Sequence, residues 1–199
     1  MTRIFTLVFI VFLAFNLNAQ EVLEEQRTLL TKKTATWCPY CGGWGWSFMK
    51  DIMSDNRDKA VIIGAHYSGD LRTDDAADLV SMFGGGGQPV FYCDERNMRV
   101  SRSNTSTKRT EIRDIVNSNF NEMPVVNAGL EIEDNGVDLE IDVKVEFFQP
   151  TSGDYNVAVW VIEDDVVNYQ SGQGPNAEHP YVFRTSVNGV TGEQIASGS

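Results

Sequence analysis

The sequence has little cysteine, little histidine and, over its last third, almost no positive charge. Three cysteines in 199 residues are too few for a disulfide scaffold, and any intramolecular pairing leaves one unpaired. Only 16 Lys and Arg stand against 28 Asp and Glu, a net charge of -12, which argues against a basic surface that grips nucleic acid or an anionic bilayer. Aromatic residues, by contrast, make up 11% and hydrophobic residues 42% of the chain. That excludes a disordered polypeptide, which lacks the apolar surface to offset its ordering entropy. No apolar run reaches the about 20 residues of a membrane-spanning helix.

The longest such run, Ile4 to Phe15, follows Arg3 and precedes Asn16-Leu17-Asn18-Ala19. A basic start, a short apolar stretch and a small residue before a polar one predict a signal peptide over residues 1–19, cleaved after Ala19. No cysteine follows that point to carry a bacterial lipid anchor. The mature chain, from about Gln20, is therefore expected in an oxidising compartment, without a transmembrane span.

Charge divides the remainder. From Gln20 to Pro124 thirteen basic residues nearly balance fifteen acidic ones, whereas from Val125 to Ser199 two face thirteen. Two regimes predict two domains, 20–124 and 125–199, with Pro124 ending a helical stretch. In the first, Arg27 to Thr36 reads as a strand before Cys38-Pro39-Tyr40-Cys41. Trp44, Phe48, Met49, Ile52 and Met53 then recur at helical spacing, in a helix weakened by Gly42, Gly43 and Gly45. Val61 to Ala65 is an apolar run suited to a parallel strand buried on both faces. Thr73 caps a helix carrying Ala76, Leu79, Val80 and Phe83; Pro89 to Cys93 is extended, and Thr107 to Phe120 is helical. The alternation predicts an α/β layer fold. Beyond Pro124, Val137 to Phe147 alternates apolar and charged residues as a half-buried strand, Asn135-Gly136 turns it back on Leu130 to Glu133, and Tyr155 to Val161 alternates again. This part is expected to be a small antiparallel β domain with a charged outer face.

The main chemical signal is Cys38-Pro39-Tyr40-Cys41 between a strand and a helix. Sulfurs separated by two residues can bond across one turn. A cysteine at a helix N-terminus is stabilised as thiolate, which makes Cys38 the expected nucleophile and Cys41 the resolving thiol. His66, at the end of its strand, falls on the same sheet edge as Cys38 if the two strands are parallel; an ordinary loop histidine is the alternative. Trp44 and Trp46 suit an apolar rim or the core equally. Cys93 is the odd cysteine, expected as a buried free thiol too far along its strand to exchange with the pair.

These residues resemble the thioredoxin superfamily. Thr36 to Cys41 is similar to its active-site turn, and Gly87-Gln88-Pro89 before a strand is similar to its cis-proline loop. The resemblance implies a cis Pro89 beside the cysteines and a peptide-binding surface formed by Trp37, Pro39, Tyr40, Gln88 and Pro89. Enzymes of this superfamily often hold a buried acid six residues before the nucleophile; here that position is Lys32, so Lys32 and His66 are the candidates for proton transfer. A narrower resemblance, carried by Thr34 to Gly42, His66, Gln88-Pro89 with Arg96, Tyr181 to Arg184 and Gly189 to Glu193, is to the twenty-eight-kilodalton outer membrane protein family. Those are Gram-negative envelope proteins with a thioredoxin-like domain followed by a β-rich one. About seven strands make a sandwich, and only four or five are legible here; either the β domain is shortened or a partner completes it.

Three functions follow as expectations. The first is an exported thiol-disulfide oxidoreductase, in the periplasm, on the outer membrane or secreted, acting on protein or peptide disulfides through Cys38 and Cys41 with no cofactor. The second is a non-enzymatic interaction protein in which these cysteines form a structural disulfide and the β domain contacts an envelope partner. The third, a metal site from Cys38, Cys41 and His66, lacks a fourth ligand.

Overall fold

A computed structural model describes residues 21–196; the expected signal peptide, residues 1–19, lies outside them. A six-stranded mixed sheet organises the chain. Its first strand, β1 (Thr28–Ala35), pairs in parallel with β2 (Ala60–Ser68), from Thr28 opposite Ala60 to Thr34 opposite His66. On the other side β1 pairs antiparallel with β3 (Val90–Cys93), which is followed by the two-residue β4 (Arg96–Asn97).

Four helices connect or cover these strands: α1 (Pro39–Gly42), α2 (Trp44–Asn56), α3 (Asp74–Phe83) and α4 (Thr105–Phe120). Strand alternation sends neighbouring residues to opposite faces of the sheet. Leu30 and Ile62 therefore meet Phe48, Met49 and Ile52 of α2 and Ile112 and Val116 of α4. Ile63 and Ala65 point the other way, onto Ala76, Leu79 and Val80 of α3. Arg109 joins the helices of the first layer with two hydrogen bonds to Asp55, at 2.7 and 2.6 Å. Thr73 caps α3, its side-chain oxygen accepting from the Ala76 N–H at 3.1 Å, as its sequence context predicts.

Among the described residues eight further strands follow Pro124, and they distribute among several sheets. A hairpin of β5 (Val126–Asp134) and β6 (Leu139–Phe147) forms a two-stranded sheet of its own. Next come β7 (Tyr155–Val157), β8 (Trp160–Glu163), β9 (Val166–Gln170), β10 (Gly174–His179), β11 (Val182–Ser186) and β12 (Glu193–Ala196). Strand β11 docks in parallel beside β2, with Val182 opposite Gly64, and β8 closes the edge antiparallel to β11. The sheet order is thus β4-β3-β1-β2-β11-β8, and β9–β10 and β7–β12 make two more antiparallel pairs. The mixed α/β sheet draws strands from both charge regimes. Phe183 belongs to the core under α3, and Asp75 at the start of α3 accepts hydrogen bonds from Ser186 N and Oγ and from Thr185 Oγ1. These hydrogen bonds hold the Asp75 carboxyl below the usual carboxylate range.

Two strand expectations change. The alternation from Tyr155 to Val161 is not one strand: β7 pairs with β12 and β8 with β11. The β5–β6 hairpin is not half-buried either. Leu130, Ile132, Leu139 and Val143 share one apolar face, but nothing in the described chain stacks a second layer on it, and all four stay exposed. Among the described residues no helix is long and apolar enough to cross a membrane.

Candidate functional site

The strand β1 ends at Ala35, and the chain turns so that the Cys38 N–H donates to the Ala35 carbonyl at 3.2 Å. Cys38 then caps the single turn α1, and its sulfur accepts from the Cys41 N–H at 3.1 Å. A continuous helix after the motif is expected from the sequence, but Gly43 adopts φ -85° and ψ -115° and separates α1 from α2. The aligned dipole behind Cys38 is one turn long, so the local Cys41 N–H supplies much of the stabilisation open to a Cys38 thiolate.

Cys38 and Cys41 are joined by a disulfide. Cys41 is wholly buried and Cys38 retains 2% of its surface. The Gln88–Pro89 bond is cis, and the Gln88 carbonyl oxygen lies 3.9 Å from the Cys38 sulfur. Trp37, just before the motif, and Tyr40, within it, are exposed, with Trp37 Nε1 donating to Ser68 Oγ at 3.1 Å. Trp37, Tyr40, Gln88 and Cys38 are thus brought to one edge of the sheet, and Pro89 packs beneath it. The motif's glycines are spaced for close approach: a Cβ on Gly45 would lie 2.6 Å from Pro89 Cγ, and one on Gly42 would overlap the Ser171 carbonyl.

That second neighbour belongs to a feature the sequence reading missed. The turn between β9 and β10 closes over the inner side of the motif. Gln170, fully buried, donates through Nε2 to the carbonyls of Cys38 at 3.0 Å and Ala35 at 3.3 Å. The Ser171 N–H donates to the Thr36 carbonyl at 2.8 Å, and Gln173 Nε2 to that of Gly42 at 2.6 Å. No local pattern marks these residues; the second of only two histidines in the chain, His179 of β10, was the available signal on this hairpin.

Behind the disulfide sits a basic cluster. Lys32, on β1, is buried and donates from Nζ to the Cys41 carbonyl at 3.2 Å, with Nζ 5.4 Å from the Trp46 ring centre. Burial without a counter-charge lowers its pKa to about 7. His66 is buried in β2, not in a loop, and its ring lies 5.0 Å from that of His179. Burial, with His179 and Lys32 adding to it, pushes the His66 pKa well below the ordinary value, and burial lowers His179 as well. Trp46 packs edge-on against His179 and Trp44 packs on Phe91, so both tryptophans serve the interior. Cys93 is a buried free thiol, its pKa pushed up to about 12 mainly by burial. Among the described residues no group of three or more His, Cys, Asp or Glu side chains is placed to hold a metal ion.

Chemically, the pair is a two-electron couple: a disulfide becomes two thiols by taking up two electrons and two protons. Among solved structures, HBP35 of Porphyromonas gingivalis shares the fold, with a TM-score of 0.70 at 15% sequence identity. The match covers 88% of this chain but 61% of that one, so the chain spans about three fifths of that protein's length. No family model and no curated protein matches the chain, and membership of the twenty-eight-kilodalton outer membrane protein family finds no support there.

Proposed function

We propose that this chain is an exported, thioredoxin-like thiol-disulfide oxidoreductase that acts on protein or peptide disulfides through Cys38 and Cys41. The observation carrying this reading is the Cys38–Cys41 disulfide at the edge of the sheet, where the Cys38 sulfur faces the Gln88 carbonyl and the neighbouring Trp37 and Tyr40 are exposed. Reduced Cys38 attacks a substrate disulfide and forms a mixed disulfide; Cys41 then attacks Cys38 and releases the second substrate thiol. Of the two sulfurs Cys38 is the nucleophile, since it retains some surface and receives the Cys41 N–H. Gln88 and the rings of Trp37 and Tyr40, with Pro39 and Pro89, hold the peptide around the target bond. Lys32 and His66 serve proton transfer on the buried side. This reading includes export, by the leader that residues 1–19 resemble in sequence, to the periplasm, the outer membrane or outside the cell, where such a couple finds substrates.

The reduction potential of the couple tests this. A value of about -120 to -270 mV matches catalytic pairs, whereas one below about -300 mV belongs to a structural bond. With an insulin or model-peptide disulfide as substrate, turnover by the wild type is expected to vanish in Cys38→Ala; equal turnover in the two overturns the assignment.

A further inference from the structure

Five buried side-chain polar atoms among the described residues find no hydrogen-bond partner, and three of them belong to residues that line one small cavity. These are Thr34 Oγ1 of β1, His66 Nδ1 of β2 and His179 Nε2 of β10, and each residue keeps only 2% of its surface exposed. The cavity has a volume of about 20 Å³, room for about one water or an ion little larger. Buried polar atoms are normally satisfied, so three orphans around one space mark a place where a bound species supplies the missing partner. The charges decide which species. Lys32 and Lys50 face the cavity, Arg184 of β11 acts on His66 from farther off, and no carboxylate lines it. An open groove adjoins it, sharing Trp46, Lys50 and Pro180, and the acids Asp165 and Glu178 lie in that groove. Every ionisable group at the cavity itself is therefore cationic or neutral.

The geometry points to a binding site for one halide-sized anion, chloride in ordinary salt, held among Lys32, Thr34, His66 and His179. The site does not depend on the oxidoreductase reading. A metal cation has no carboxylate to hold it there. Phosphate and sulfate, with four oxygens around a central atom, exceed the volume. A water alone leaves the Lys32 charge uncompensated: its ammonium has the Cys41 carbonyl at 3.2 Å and the Trp46 ring centre at 5.4 Å, but no counter-charge. An anion supplies that charge, and the donors stand ready in the Lys32 ammonium, the Thr34 hydroxyl and the imidazole N–H groups. Carbonyls of Asn168 and Tyr169 favour the protonated His179 ring, which turns its orphan nitrogen into a donor. In the empty cavity burial lowers the Lys32 pKa to about 7 and depresses both histidines. Above that value binding takes up a proton: the anion enters, the Lys32 amine accepts a proton from solvent, and the pair is neutral as a whole. The anion thus raises the Lys32 pKa, and its affinity rises as pH falls towards 7, by up to about tenfold per unit.

The test uses the full chain with its disulfide intact, melted in sodium chloride and in sodium gluconate, whose anion is too large for the cavity, at equal ionic strength. At about pH 6.5 chloride is expected to raise the melting temperature along a saturating curve, and at about pH 8.5 half-saturation should need at least about tenfold more chloride. Lys32→Met should abolish the chloride effect. Thr34→Val, which removes a donor and keeps every charge, should weaken binding about tenfold, and it decides the matter if Lys32→Met fails to fold. Crystals soaked in sodium bromide should show an anomalous peak between Lys32, Thr34, His66 and His179. Equal melting curves in the two salts at the lower pH overturn the site. So does a chloride effect that persists unchanged in either folded variant, which belongs to the surface, and so does cavity density without an anomalous signal, which is a water only.

Discussion

Gln170 donates from Nε2 to the Cys38 carbonyl at 3.0 Å, joining residues 132 positions apart. The same amide reaches the Ala35 carbonyl, so one fully buried side chain spans the turn that carries the first cysteine. Removing it leaves these carbonyls without that donor in a dry site. Gln170→Ala is expected to cost roughly 1–3 kcal/mol of unfolding free energy, measured by urea denaturation with the disulfide intact. A loss below a few tenths of a kcal/mol would show that the turn between β9 and β10 does not hold the motif.

Glycine to alanine inside a helix ordinarily stabilises it by about 1 kcal/mol. Gly45→Ala should do the reverse, because the new Cβ falls 2.6 Å from Pro89 Cγ and drives the proline loop off α2. A lower melting temperature, with slower disulfide exchange at Cys38, is the expected result; a gain in stability would mean that the loop moves aside freely.

Lys32 makes stability depend on pH. Its pKa is lowered in the folded chain to about 7 from an ordinary 10.5, so between these values the unfolded chain binds a proton that the folded one has released. Stability therefore rises with pH, by up to about 1.4 kcal/mol per unit. The clean window is pH 7 to 9, below the ordinary thiol value of 9.0 at which an unfolded Cys93 ionises and offsets the trend. Denaturation at several pH values should show this slope, and Lys32→Met should flatten it while raising stability at pH 7 and below. The same slope in the variant would exclude Lys32 as its source.

Cys93 should resist thiol reagents in the native protein, being buried with a pKa pushed up to about 12. Mass spectrometry after iodoacetamide treatment without reductant is expected to find no adduct under native conditions and one in denaturant. Rapid native labelling would mean that β3 opens readily.

What could be read from the chain was what its neighbours in sequence decide. The Thr73 cap depends on the Ala76 N–H three residues on, and the apolar spacing of α2 and α3 follows from helical period alone. The Cys38 and Cys41 sulfurs likewise meet across one turn. Gln170, Gln173 and His179 were not legible, since their value comes from a hairpin that folds back across most of the chain. The alternation of β6 reports a strand correctly but not that Leu139 and Val143 stay exposed among the described residues. Lys32 is legible in the sequence as a basic residue at a position where the resemblance implies a buried acid. Its burial explains how a lysine occupies it: the side chain rests on Trp46, gives its hydrogen bond to Cys41 and loses its proton readily near neutrality.

The docking of β11 on β2 sets the order in which the molecule can be completed. Val182 must come to Gly64, and Ser171 to Thr36, before the sheet and the cysteine turn are finished. Contacts of such high sequence separation slow folding. Until they form, a chain emerging from its N-terminus holds the edge of β2 open, with unpaired backbone groups and the apolar residues of α3 uncovered. Fragments ending before β11 are thus expected to associate through that edge, and the motif reaches its final packing only after most of the polypeptide has been made.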